Sequence, residues 1–370
     1  MPDRSILVIN TGSSSLKYGL YARQNGEEQL LFGGSADGIA RDGTIDLRDS
    51  NDRVLRSETL NFASQADALD HAVQWLRELA PDKPCAIGHR VVHGGPRLVA
   101  HQRITPALIQ ELRSSVHFAP LHIPLALHLI ERAEQCYPQI PQFACFDTAF
   151  HQTMPQSASR FALPSLLFEE GIRRYGFHGL SYESIVHQLG EEIPSRTVIA
   201  HLGSGASLVA IKDGHSVDTT MALTPTAGIP MATRSGDLDP GVLLYLLRVK
   251  QMNADSLEAL LNHDSGLKAL SGGTSDMRDL EAAADRGDRK AQLAIEIFCT
   301  SIRKTIAAYA AVLGGLDLLV FAGGIGEHSV RIRNKVCEGL QFFGSFPVRV
   351  VASREDRQIA RHCRSLLSMS

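Results

Sequence analysis

The sequence predicts an α/β fold built on a duplicated unit. Two observations carry that expectation. A strand, a small-residue turn and a returning strand near the N-terminus recur in the second half, and amphipathic helical stretches alternate with apolar strand-like runs. Gly12 and Gly203 hold matching places in the two copies, 191 positions apart, as an internal repeat would leave them.

The elements follow in order. Residues 6–9 (Ile-Leu-Val-Ile) are continuously apolar and β-branched, the pattern of a buried strand. Residues 10–15 form a small polar turn, and 16–21 alternate as a second strand closed by Asn25-Gly26. Residues 64–79 have helical spacing, with Ser64 as N-cap. In the second half, 197–202 read as a strand, 203–207 as a turn and 208–211 as the returning strand, closed by Asp213-Gly214. A long helix spans 291–313 and stops at Gly314-Gly315. Residues 316–322 form a buried strand, 323–326 a loop, and a further helix starts near His328. No linker separates the halves, so two packed lobes with a cleft between them are expected.

Composition excludes several classes. The 370 residues carry 37 Lys and Arg against 40 Asp and Glu, with no basic run, which argues against nucleic acid as partner. The apolar runs are too short to span a bilayer, and the N-terminus leads into a strand without a signal-peptide layout. Six scattered cysteines (Cys85, Cys136, Cys145, Cys299, Cys337, Cys363) without a Cys-x-x-Cys fit a reducing cytoplasm.

Three small-residue turns, 10–15, 203–207 and 323–326, follow apolar strands. Such turns expose backbone N–H groups and let a phosphate approach closely, and Lys17 follows the first. None is a Walker A sequence, and 324–329 lacks the third glycine of a dinucleotide fingerprint. Charged residues punctuate apolar surroundings in five further places. These are Arg90 within 88–95, the proline-braced 117–124, Asp147 after 143–146, His178 within 173–179, and Arg234 within 233–237. Taken singly, each also fits a structural ion pair or a satisfied core histidine. Taken together, two arginines, a histidine, a lysine, an aspartate and a metal suit phosphoryl transfer, which asks for positioning and cationic stabilisation. No Gly-x-Ser-x-Gly elbow and no His-Glu-x-x-His or paired-cysteine zinc motif is present.

In these same stretches the chain resembles the acetate, propionate and butyrate kinase family, which shares the actin, Hsp70 and sugar-kinase fold. The matching segments are 10–17 (Asn-Thr-Gly-Ser-Ser-Ser-Leu-Lys), 88–95 (Gly-His-Arg-Val-Val-His-Gly-Gly), 146–155, 173–179, 201–207, 233–240, 275–279 and 323–327. The resemblance implies a duplicated actin-like, ribonuclease H-like fold of two lobes. The first would be 1–148 plus about 357–370; the second, 149–356, would bind nucleotide and form the dimer. It implies reversible transfer of the ATP γ-phosphoryl group to acetate, with Mg2+, or Mn2+ in its place, in a cytoplasmic homodimer that needs neither nucleic acid nor membrane.

Carried over by position, Arg90, His122, Asp147, His178 and Arg234 would be catalytic. Arg90, Val92, Leu121, Phe177 and Pro225 would bind the acyl acid. Lys17, His201, Leu202, Gly203, Ser204, Gly205, Asp276, Met277, Arg278, Gly324, Ile325, Gly326, Glu327 and His328 would hold ATP, and Asn10 and Glu355 the metal. Asp356 competes with Glu355 for the last role. The chain departs from the family pattern at Ile123, Ser204, Met277, His328, 226–232 and 353–356, and is shortened between Gly344 and Val348. Most departures lie around the nucleotide. They leave open the phosphoryl donor, propionate or butyrate as substrate, and a regulatory nucleotide-binding relative without catalysis.

Overall fold

The computed structural model describes residues 5–12, 15–39, 43–80 and 82–369. The opening residues 1–4, and Ser13 and Ser14 of the first small-residue turn, lie outside the described residues. The chain divides into two compact units. One comprises Met1–Ala149, Gly179–Ser184 and Arg354–Ser370; the other comprises Phe150–His178 and Ile185–Ser353.

In the first unit, strands β1 (Ile6–Thr11), β2 (Ser15–Gln24), β3 (Glu27–Asp37), β4 (Gly43–Asp49), β5 (Val54–Leu60), β6 (Ala86–Val91), β7 (Gln102–Arg103) and β8 (Gln142–Phe146) form one sheet. Its order is β5-β4-β3-β2-β1-β6-β8-β7. β1, β6 and β8 run parallel, while β1 through β5 form antiparallel hairpins. Asn25 and Gly26 both have positive φ, 52° and 86°, which a two-residue hairpin turn between twisted strands requires. The apolar run of β1 is buried because both faces of the sheet are covered. Leu7 and Ile9 pack with Leu69, Val73 and Leu76 of the helix Gln65–Leu79, whereas Ile6 and Val8 meet Ile359, Ala360 and Cys363 of the C-terminal helix Glu355–Ser368. Gly88 permits that second contact: a Cβ there would sit 2.6 Å from both Cys363 Sγ and Ile359 Cγ2. Ser64 caps the first helix in a reciprocal capping box with Asp67.

In the second unit, β9 (Arg196–Leu202), β10 (Ala206–Lys212), β11 (His215–Thr219), β12 (Leu318–Ala322) and β13 (Val348–Val350) are ordered β11-β10-β9-β12-β13. β9 to β11 are antiparallel, and β12 and β13 continue in parallel with β9. This is the connectivity of β3-β2-β1-β6-β8 over again. The second hairpin even repeats the turn chemistry, with Asp213 and Gly214 at φ 50° and 79°. The α/β class and the duplication expected from sequence are therefore both present. The helix Arg289–Leu313 packs on β9 and β10, capped by Asp288 at its start and by left-handed Gly314 at its end.

The structure departs from expectation at 323–326. This stretch is not a loop but the start of a short helix, Gly323–His328, followed at once by Val330–Glu338. Glycine content predicts poor helix formation, yet both ends are tied. The Gly323 amide donates to Glu327 Oε1 (3.0 Å), and Arg333 Nη1 donates to the carbonyls of Gly326 and Glu327 (2.8 and 2.9 Å). No helix among the described residues is long and apolar enough to cross a membrane.

Candidate functional site

Parallel strands end together, and the carboxyl ends of β1, β6 and β8 gather the charged residues of the first unit. Asn10 lies near the end of β1, paired in register with Lys17 on β2. Arg90 lies on β6, in register with Cys145 on β8, and Asp147 follows β8 directly. The Arg90 guanidinium forks onto Asp147, with Nε to Oδ1 at 3.0 Å and Nη2 to Oδ2 at 2.6 Å. Its Nη1 donates to Asn10 Oδ1 at 3.1 Å and lies 3.9 Å from Glu355 Oε2. Asn10 Nδ2 in turn donates to Asp356 Oδ1 (2.7 Å) and Glu355 Oε2 (3.4 Å), at the first turn of the C-terminal helix. The Asp147 main chain is fixed as well. Its amide donates to the Val91 carbonyl at 3.1 Å, and its carbonyl accepts from the Gly179 amide at 2.8 Å.

The charges here do not cancel. Asp147, Glu355 and Asp356 face Arg90 and the exposed Lys17. Burial raises the Asp147 pKa, opposed by Arg90 and reinforced by Glu355 and Glu183. Burial likewise raises Asp356, opposed by its bond from Asn10 and reinforced by Glu355. Arg90 stays charged against its own desolvation because Asp147 and Glu355 flank it. Surplus negative charge borne by hard oxygens, with the Asn10 amide alongside, is the donor chemistry of a hard divalent cation.

The second unit gathers another set around Gly205. The β9–β10 hairpin closes over Gly203–Gly205, with the Gly203 amide donating to the Gly205 carbonyl (3.1 Å). A Cβ on Gly205 would lie 3.3 Å from His178 Nε2 and 3.5 Å from Arg234 Nη1. A Cβ on Gly203 would lie 3.9 Å from both His201 Nε2 and the Gly324 amide nitrogen. His178 thus shares a neighbourhood with His201, whose ring it stacks on at 4.5 Å, and its Nδ1 meets Ser207 Oγ at 2.9 Å. His178 holds a left-handed backbone (φ 58°) immediately before the helix Gly179–Leu189, a conformation that costs a non-glycine residue energy and clusters at functional sites. Arg234 Nη1 donates to the Pro225 carbonyl at 3.1 Å, and the Ala232 amide donates to the Ser204 carbonyl at 3.2 Å.

The other expected residues are placed as follows. Asp276 caps the helix Met277–Asp285, and exposed Arg278 folds back on it (2.6 Å). Met277 and Leu202 are buried. Ser329, next to exposed His328, donates to Glu281 of that helix (2.6 Å), joining these two stretches. Ile325 and Glu327 belong to the short helix already described. In the first unit, Val92 follows β6, Leu121 is exposed, and His122 stands at the N-cap position of the helix Ile123–Cys136. In the second unit, the Phe177 side chain is 1% exposed and its carbonyl faces His151 Nε2 at 3.0 Å.

One cluster escaped the sequence reading: His101, Glu183 and His362, drawn together in the first unit. Their separations of 82 and 179 positions leave no local signal.

A duplicated α/β chain with an arginine–carboxylate cluster at its parallel strand ends, and with a glycine turn and a glycine-rich helix start after two second-unit strands, defines a phosphotransferase. The Acetokinase family model matches residues 5–362, and the chain belongs to that family. An acetate kinase from Methylocella silvestris is 41% identical over 400 aligned residues, covering 99% of this chain and 98% of that protein. The crystal structure of Porphyromonas gingivalis acetate kinase aligns at 33% identity with a TM-score of 0.88, covering 98% of this chain and all of that one. A propionate kinase from Francisella tularensis aligns at 34% identity and a TM-score of 0.92, with the same coverage of this chain.

Proposed function

We propose that this protein catalyses the reversible transfer of the ATP γ-phosphoryl group to acetate. One acetate oxygen forms the new bond to phosphorus, the bridging bond to ADP breaks, and its electron pair leaves with ADP. The observation that carries this reading is the buried Arg90, forked onto Asp147 and bonded to Asn10 at the strand ends. Acetate is already ionised near neutral pH, so no general base is needed. Asp147 therefore acts by orienting Arg90. Arg90 and Arg234 would bind the acyl carboxylate and the phosphoryl oxygens. His178, its ring set by Ser207, would donate to the transferring group, and His122 would assist. Val92, Leu121, Phe177 and Pro225 would line the methyl site.

ATP would be held by Lys17, by His201 to Gly205, by Asp276 to Arg278 and by Gly324 to His328. Asn10 and Glu355, with Asp356 beside them, would hold Mg2+ or Mn2+. When bound, the cation neutralises the phosphate charge. A cytoplasmic homodimer is the assembly we favour. The helix Pro240–Arg248 supports it, since Val242, Leu244, Tyr245 and Leu247 are all exposed. Six free cysteines support a reducing compartment.

Protein, acetate, MgATP and hydroxylamine together should give acetyl hydroxamate. No hydroxamate from any short acyl acid or phosphoryl donor would refute the proposal and favour a regulatory nucleotide-binding role. Similarity to the Francisella tularensis propionate kinase motivates a second substrate. One methylene is worth only ~1–3 kcal/mol of discrimination, so kcat/KM for acetate over propionate should differ by a partial factor.

A further inference from the structure

We infer that Glu183 is a positioning residue: by holding His101 and His362 it sets the C-terminal helix, and so Glu355 and Asp356, against the strand ends that present Arg90 and Asp147. Glu183 Oε2 lies 2.6 Å from His362 Nε2, on the second turn of that helix, and its Oε1 lies 3.2 Å from His101 Nε2. The two imidazole ring centroids lie 4.0 Å apart, with the ring planes tilted by 41°. His101 is oriented from behind, because the Phe146 amide donates to its Nδ1 at 3.0 Å. Nδ1 must then be the acceptor, and the Nε2–H points at Glu183. Phe146 is the residue before Asp147, so Glu183 reaches the end of β8 through a single imidazole.

The next residue makes a second tie. Ser184 Oγ accepts from the Arg354 amide at 3.1 Å, immediately before Glu355, and donates to the Ser181 carbonyl at 2.7 Å. The segment Gly179–Ser184 thus grips the C-terminal helix at two points along its length. It also grips Asp147 through the Gly179 amide. Glu183 is largely buried. Burial raises its pKa, but the two histidine bonds outweigh this and hold it at about 2, so the carboxylate is ionised and accepts from both sides.

Two imidazoles and a carboxylate are also a zinc donor set. The His101 tautomer argues against that occupant. A metal-binding histidine donates its other ring nitrogen, whereas this one accepts there. Direct hydrogen bonding therefore explains the cluster.

The test uses the full-length protein with Glu183→Ala, Glu183→Gln, His362→Ala and His362→Gln. Hydrogen exchange at the amides of 358–362, which lie past the orphan first turn of the helix, is read first, because it does not depend on the proposed activity. The half-saturating Mg2+ concentration in the hydroxamate assay is read second. In both Glu183 variants and in His362→Ala, exchange should quicken by at least tenfold and half-saturating Mg2+ should rise by about tenfold, with the acetate KM changed less than threefold. His362→Gln keeps an N–H donor and should stay near wild type. The inference falls if the melting temperature drops while exchange and the Mg2+ requirement stay put. It falls equally if purified wild-type protein carries stoichiometric zinc that Glu183→Ala loses. An inactive wild type would sink the proposed function, and the exchange arm would still decide this inference.

Discussion

Removing Arg90 should destabilise the first unit as well as disable catalysis. Asp147 is 1% exposed and Arg90 18%, so neither charge is well solvated. Arg90→Met leaves Asp147 buried with Glu355 and Glu183 acting on it and its opposing guanidinium gone. Breaking a buried pair on one side costs about 3–5 kcal/mol. A Coulomb estimate agrees: unit charges ~4 Å apart at an effective dielectric near 20 interact by ~4 kcal/mol. Because Arg90 is partly exposed, the lower end, about 3 kcal/mol, is the expectation. Trp75 is the single tryptophan and sits buried in the helix Gln65–Leu79, so its fluorescence follows this unit during urea unfolding. The double variant Arg90→Met/Asp147→Leu removes both charges and should recover most of the lost stability while forming no hydroxamate. A single variant as stable as wild type, or an active double variant, would refute the reasoning.

Two further outcomes follow from the geometry. His89 is buried with its Nε2 2.6 Å from Gln142 Oε1, and desolvation lowers its pKa from 6.5 to about 4. Between those values the unfolded chain binds a proton that the folded chain refuses. The stabilisation is thus complete above pH 6.5 and declines as pH falls toward 4, by about 3 kcal/mol. His89→Asn should flatten the decline in Trp75-monitored urea midpoints between pH 7 and pH 4.5; an unchanged slope would contradict this. Gly205→Ala introduces a methyl 3.3 Å from His178 Nε2 and 3.5 Å from Arg234 Nη1, and should cut hydroxamate formation at least tenfold with little change in melting temperature. Full activity would show that those two side chains give way freely.

The hairpins that open each unit were legible in sequence because apolar, β-branched runs end in Asn-Gly or Asp-Gly, and those turns specify their own backbone. Helices 64–79 and 291–313 were legible through periodicity and caps. The helix Gly323–His328 was hidden by its glycines, since its stabilising bonds come from Glu327 and from Arg333 beyond it. β4 and β5 were missed because their polar residues blur the alternation. Arg90 and Asp147 each stood out as charges among apolar residues, but their pairing spans 57 positions and needs the parallel register of β6 and β8. Glu183, His101 and His362 carried no signal, because each is an ordinary polar residue until three separate elements meet.

β13 gives the second sheet an unusual margin. It is three residues long, all of them exposed, and it is the last strand in its order among the described residues. Val348 and Val350 would invite another chain to add on, but Arg349 sits between them and reaches toward Glu192 at 3.3 Å. A charge at the centre of so brief a ladder denies an incoming strand both length and a greasy seam. The brevity of β13 and the charge at its centre thus keep this rim from becoming a nucleus for self-association.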